Sequence, residues 1–175
     1  MVDIEIELLD LEGFDHYLNE LAGVLHACVQ LGASVNFILP FSINDSRAFW
    51  RNKIREGIAS KKRILIVAKV NKMIAGTVQL DCDTPPNQAH RADVSKLLVH
   101  PEFRRQGVAK LLMNVLEEQA KTKNIKLLTL DTRTGDSAEP LYASLGYQTA
   151  GIIPNFAKNA HTDTLDGATF MYKEV

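Results

Sequence analysis

Between Val94 and Lys110 the sequence reads VSKLLVHPEFRRQGVAK, and this stretch narrows the fold more than any composition figure. An apolar strand ending Leu97-Leu98-Val99 passes through His100-Pro101 into a polar turn. Beyond Gly107, the residues Val108, Leu111, Leu112, Val115 and Leu116 recur at helical spacing. The stretch is therefore a strand, a short turn and an amphipathic helix. Glycine permits a tight turn and close backbone approach. A helix N-terminus presents unpaired amides and the positive end of the helix dipole. Arg104 and Arg105 add charge-assisted donors. Arg104, Arg105, Gln106, Gly107, Val108, Ala109 and Lys110 thus form a candidate cradle for a pyrophosphate. Neither G-x-x-x-x-G-K-[ST] nor G-x-G-x-x-G after a strand is present. A plain strand–turn–helix with solvated arginines is the competing reading.

The rest of the chain builds a sheet around this unit. Ile4, Ile6 and Leu8 predict a first strand. Phe14, Tyr17, Leu18, Leu21, Leu25, Cys28 and Val29 predict a helix stopped at Gly32. Ser42 with Asp45 suggests a capping box, and Trp50, Ile54 and Ile58 share one face of a second helix. Arg63 to Val70 and Met73 to Asp81 flank Asn71-Lys72 as a hairpin, with Ile74, Gly76, Val78 and Leu80 on one face. Strands follow over Ala92 to Val99 and Ile125 to Leu130, and a short helix over Ser137 to Leu145. The last strands are Tyr147 to Ile153 and Thr169 to Tyr172, with Asn155 to Gly167 as a polar loop. The order β, α, α, β, β, β, α, β, α, β, β predicts one α/β domain over 1–175, a mixed sheet with helices on both faces.

Composition excludes several function classes. With 20 Lys plus Arg against 21 Asp plus Glu, the net charge of −1 argues against nucleic acid or an anionic membrane as a general partner. The two cysteines, Cys28 and Cys82, form no C-x-x-C, so a disulfide scaffold or zinc finger is not expected. No metal-ligand set is visible. Met1 to Asp10 lacks the basic and apolar regions of a leader, and no apolar run is long enough to span a bilayer. A cytoplasmic location is the expectation. No internal repeat or low-complexity segment appears.

Arg104-x-x-Gly107-x-Ala109 after Leu97-Leu98-Val99-His100-Pro101 resembles the acetyl-CoA motif [RQ]-x-x-G-x-[GA] of the GNAT N-acetyltransferases. Ala138 to Tyr147, AEPLYASLGY, resembles the family's short helix with its tyrosine, leucine, glycine and aromatic ending. A narrower resemblance is carried by Gly32-Ala33-Ser34-Val35-Asn36-Phe37, Arg91-Ala92-Asp93-Val94 and Leu130-Asp131-Thr132. These look like the tabtoxin-resistance type of acetyltransferase, which acetylates a β-lactam-containing amino compound.

The resemblance implies a mostly antiparallel central sheet with a splayed parallel strand pair. It implies acetyl-CoA as cosubstrate and direct transfer to an amine. Backbone groups of Leu97, Leu98 and Val99 would pair with the pantetheine arm, and amides of Arg105 to Lys110 would hold the pyrophosphate. Ser137 joins the cofactor-binding set. A backbone amide near Val99 would receive the oxyanion. Tyr142 matches the family's general acid, and a phenol is protonated at neutral pH.

Asp93 and Asp131, one opening the central strand and one ending the next, are the candidates for base or ammonium anchor. Each also reads as an ordinary strand-end charge or turn cap. His90, His100 and His161 are weaker candidates, and Asn155 to Gly167 could lie over the acceptor. The expected acceptor is the amine of a small molecule, and a toxin- or antibiotic-like amine is one form of it. A peptide or protein amine is the alternative, although no acidic run exists to hold a basic peptide. A non-catalytic acyl-CoA-binding module could dispense with Tyr142. Dimers are common among resembling proteins, so a homodimer is a further expectation.

Overall fold

The structure is a computed structural model that describes residues 3–175. Met1 and Val2, where the segment read for a leader begins, lie outside them. One seven-stranded sheet has the order β1-β2-β3-β4-β5-β7-β6. Its strands are β1 (Ile4–Leu9), β2 (Arg63–Val70), β3 (Met73–Asp81), β4 (Arg91–Val99), β5 (Leu127–Arg133), β6 (Gln148–Lys158) and β7 (Leu165–Glu174). The helices are α1 (Leu11–Gln30), α2 (Ile43–Phe49), α3 (Arg55–Ala59), α4 (Val108–Thr122) and α5 (Ala138–Ser144). Among the described residues only β4 and β5 run parallel; every other neighbouring pair is antiparallel. No helix among the described residues is long and apolar enough to cross a membrane.

Two cores lie on opposite faces of the sheet. On one face, α1 brings Phe14, Leu21, Leu25 and Val29 against Leu65, Val67 and Leu98, together with Trp50 and Ile54. On the other, α4 brings Val108, Leu112 and Leu116 against Ile66, Val78, Leu80 and Leu128, with Tyr142 and Tyr147 from the α5 segment. Asp10 starts α1 by accepting from the Gly13 amide at 2.8 Å. The capping box at α2 is formed: Asp45 N donates to Ser42 Oγ at 3.1 Å, and Ser42 N donates to Asp45 Oδ2 at 2.9 Å. The expected second helix is interrupted by a π-helical turn, Trp50–Ile54, between α2 and α3. The β2–β3 hairpin turns on Asn71 and Lys72, both with positive φ, as a two-residue turn of right-handed twist requires.

Bulges decide which face each side chain meets. The β2–β3 register shifts between Ala68 and Lys69. Ile74 therefore packs with α1, while Val78 and Leu80 pack with α4, contrary to the single face expected for them. In β4 the register against β3 shifts between Thr77 and Gln79, and Lys96 there has φ 51°. Before the bulge Ala92 and Val94 face α4; after it Leu97 and Val99 do, and Leu98 turns to the α1 core.

The final hairpin is longer than hydropathy suggests. The stretch Asn155 to Gly167 is mostly strand, paired from Ala157↔Asp166 and Lys158↔Leu165 back to Gln148↔Tyr172. Only residues 159–164 form the turn, closed by Asn159 N donating to Thr164 O at 2.9 Å. β6 is an exposed edge strand, so its polar residues cost nothing in water and its pattern carries no sign of burial. β5 likewise runs on to Arg133, three residues beyond the expected end at Leu130, because β7 pairs with it to Arg133↔Ala168.

Candidate active site

β4 and β5 pair over three rungs only, Arg91↔Leu127, Ala92↔Leu128 and Asp93↔Thr129. Past Asp93, β4 stays with β3 as far as Val99↔Gly76, while β5 stays with β7. A wedge opens between the two parallel strands, and Leu97, Leu98 and Val99 form its β4 wall. The Val99 carbonyl is already occupied: Arg104 Nε donates to it at 3.2 Å and the Cys28 thiol at 3.4 Å.

The wedge opens at the N-terminus of α4. Arg105 has φ 63° and Gly107 φ 85°, and Gly107 caps the helix without any side-chain hydrogen bond. The backbone amides of Arg105 through Lys110 donate to no acceptor among the described residues, a run of open donors. A Cβ built on Gly107 would meet no atom within 4 Å, so the space before these amides is open. Gly76 brings α4 in close: a Cβ there would lie 2.7 Å from the Leu98 carbonyl and 3.0 Å from Val108 Cγ1. Arg105, Gln106 and Lys110 are exposed at the mouth, Ala109 is half-buried and Val108 is buried. Arg104 differs from the expected cradle donor, because its guanidinium turns back to Val99 O and Cys28 Sγ.

Tyr142, in α5, is 6% exposed and packs its ring 5.7 Å from that of Tyr147. Burial pushes its phenol well above the ordinary range, and the nearby charges of Asp131 and Asp136 push the same way. Ser137 caps α5 without a side-chain bond to the helix and leans on Asp136 instead.

The two sequence-selected carboxylates stand in different surroundings. Asp93 accepts from Arg91 Nη1 at 2.6 Å and also from the Thr129 hydroxyl. Asp131 is exposed, and no hydrogen bond or ion pair among the described residues engages it. Asp131 lies on β5 two residues past the last rung shared with β4, where the two strands have parted.

Lys96 and Gln79 were not singled out from sequence. The Lys96 ammonium lies 5.5 Å from the centre of the Phe49 ring and forms no ion pair among the described residues. Burial pulls its pKa down, Arg63 adds to this, and Asp131 opposes it. Gln79 is 0% exposed; its carbonyl oxygen accepts from Arg63 Nη1 at 2.6 Å, and its amide nitrogen has no partner. Arg63 is itself paired with Asp81. A cation inside an otherwise apolar strand, VSKLLV, was the available signal for Lys96.

The loop after α1 is fastened to the far end of the wedge. Arg133 Nη1 donates to Gly32 O at 3.1 Å and Nη2 to Asp136 at 3.1 Å; Leu39 N donates to Ala160 O at 3.1 Å. His161 lies against Gly32, and His100 accepts from the Glu102 amide at 3.4 Å. Neither of these histidines, nor His90, hydrogen-bonds to Asp93 or Asp131.

A splayed parallel pair leading to an open helix N-terminus, with a buried tyrosine beside it, defines an acetyltransferase fold of the GNAT type. Residues 43–162 match the family described as "Acetyltransferase (GNAT) domain", and the chain belongs to that family, whose acyl donor is acetyl-CoA. It is 28% identical over 143 residues to an "Uncharacterized N-acetyltransferase in hisH-hisA intergenic region" from Azospirillum brasilense, covering 80% of this chain and 82% of the relative. Its fold is similar to that of yncA from Salmonella typhimurium, solved with its cofactor acetyl-CoA, at TM-score 0.78 and 15% identity, covering 98% of this chain and 93% of that one. A ribosomal-protein-alanine N-acetyltransferase from Brucella melitensis has TM-score 0.75 and 18% identity, covering 98% and 99%.

Proposed function

We propose that this chain, as a single domain over residues 1–175, acetylates the amine of a small molecule directly from acetyl-CoA. The observation that carries the reading is the wedge between β4 and β5, which ends at the open amides of Arg105 through Lys110. The residues fit the group. A diphosphate needs many donors and no side chain in its way, and this turn offers both. The free β4 edge at Leu97 to Val99 suits an extended amide-bearing arm, which would add to the sheet as a strand does. Ser137, at the start of α5, completes the proposed cofactor-binding set. When bound, acetyl-CoA supplies an activated acetyl group.

The chain's own residues then have separable tasks. Asp131, unpaired and exposed, accepts a proton from the acceptor ammonium directly or through water. Asp93, held by Arg91 and Thr129, keeps the narrow end of the wedge in place. Tyr142 remains protonated across the working pH range and holds a proton for the departing sulfur. A module that merely binds acyl-CoA could dispense with the Tyr142 hydroxyl, so its presence favours an enzyme.

A small acceptor is preferred to a peptide because the acceptor side is tied together. The bonds Arg133–Gly32 and Leu39–Ala160 join the loop after α1 to β5 and the hairpin tip, which supports a confined acceptor site. Gly32 to Phe37, which resembles the tabtoxin-resistance type, lies at these ties, so a toxin- or antibiotic-like amine is the particular form proposed. A cytoplasmic location and a homodimer belong to the same reading. A thiol-release assay with acetyl-CoA across small amines and N-terminal peptides tests it. Turnover of peptides in preference to every small amine would reverse the choice of acceptor.

A further inference from the structure

The charges lining the α1 face of the sheet beside the wedge nearly all cancel in pairs. Arg63 is held by Asp81 and Arg91 by Asp93. Two groups are left over, Lys96 on β4 and Asp131 on β5, and they form no ion pair with each other among the described residues. The β4 bulge gives Lys96 φ 51°, and the ammonium lies beside the face of Phe49. The Thr77 hydroxyl secures the bulge by donating to Lys96 O at 3.0 Å.

A second donor, on the strand paired with this part of β4, has no acceptor among the described residues. Gln79 is a register neighbour of Ser95, fully buried, and its amide nitrogen is unpartnered while its oxygen holds Arg63. Buried donors are nearly always satisfied, so a cation and an amide left open together point to an anion that arrives with a ligand. The Arg63 Nε is also unpartnered, but it faces Gly57 on α3, so it is not counted here.

Resting on the acetyltransfer reading, we propose that the acceptor is a small amine that carries an anionic group on the same molecule. Lys96 and the Gln79 amide receive the anion, and Asp131 receives the ammonium. An amino-acid-like zwitterion satisfies both leftover charges at once. An uncharged amine leaves Lys96 unpaired, and a second cation would be repelled by it.

The test begins with acetyl-CoA binding by calorimetry. Absence of binding ends the acetyltransfer reading and this inference with it. With binding in hand, thiol release is measured on L-amino acids, each beside its carboxamide, and on matched aminophosphonic acids. The acids are expected to exceed their carboxamides in kcat/KM by about tenfold or more, the scale of a charged hydrogen bond. A preference for phosphonate over carboxylate would name the anion without changing the site. Lys96→Met keeps the packed stem and should abolish the preference, raising KM of the acids at least tenfold more than KM of the carboxamides. Lys96→Arg should retain part of it. Carboxamides turned over as fast as acids by the unaltered chain overturn the proposal, with no variant needed. A preference that survives in Lys96→Met overturns it too.

Discussion

Asp93 and Thr129 face each other on the last rung shared by β4 and β5, and the Thr129 hydroxyl donates to the Asp93 carboxylate at the point where the strands part. Arg91 holds the same carboxylate at 2.6 Å. This side chain is occupied in closing the wedge, whereas Asp131, two residues beyond Thr129, is free. The pair therefore separates a carboxylate engaged in fastening the strands from one left unengaged among the described residues.

Asp131→Asn is expected to lower kcat/KM for the acceptor by about 1.5–3 kcal/mol, as loss of a charged hydrogen bond does. Asp93→Asn should cost less in kcat/KM and show a small loss of stability, below about 1 kcal/mol for a partly exposed ion pair. Steady-state kinetics together with urea unfolding of both variants measure the contrast. The reverse order of effects would move the base to Asp93.

Gly107→Asp sets a carboxylate before the open amides of α4 and forces a positive φ on a residue with a Cβ. Acetyl-CoA affinity is expected to fall at least tenfold, about 1.4 kcal/mol, read by calorimetry on the folded variant. Unchanged affinity would remove the diphosphate from this turn.

Tyr142→Phe leaves the ring against Tyr147 and removes only the hydroxyl. Turnover should drop roughly 10²-fold with acetyl-CoA binding unchanged. Because burial holds this phenol above the ordinary range, its ionisation should not shape the rate profile near neutrality. Full activity in the Phe variant, with chemistry limiting the rate, would take the acid role from Tyr142.

Stability should decline in alkali for a stated reason. Burial raises both Tyr142 and Tyr147 in the folded chain, so the unfolded chain loses these protons first, near pH ~10. Their contribution is complete below that value and is lost as the pH climbs towards the folded values. The thiols of buried Cys28 and half-buried Cys82 shift in the same direction and start the decline earlier, near pH ~8.5. Tyr147→Phe removes a buried hydroxyl that has no partner, so it should be neutral or stabilising at pH ~7 and should flatten the alkaline loss. Denaturant midpoints from pH ~7 to pH ~10.5 give the comparison.

The framework was readable because it rests on local signals. Asn71-Lys72 between two β-branched runs located the hairpin to the residue, and Gly107 after a polar turn located the start of α4. The motif carried the splay, which no hydropathy pattern shows. Lys96 and Gln79 escaped because their meaning depends on which face they meet, and that is decided by a bulge created between two strands. The length of β6 escaped because an exposed edge strand has no buried face to leave a pattern. Arg104 was legible as a motif residue, but its bond to Val99 depends on how the chain returns beneath the turn.

The bulge at Lys96 makes β4 two half-strands spliced out of phase. Ahead of the splice, even-numbered residues serve the α4 core; behind it, odd-numbered residues do. Loss or gain of one residue between Val94 and Leu98 would swap every downstream assignment, sending Leu98 towards α4 and Leu97 towards α1. The same one-residue change in the Thr84–Ala89 connection would alter only a surface link. This strand therefore tolerates exchange of side chains far better than any change of length.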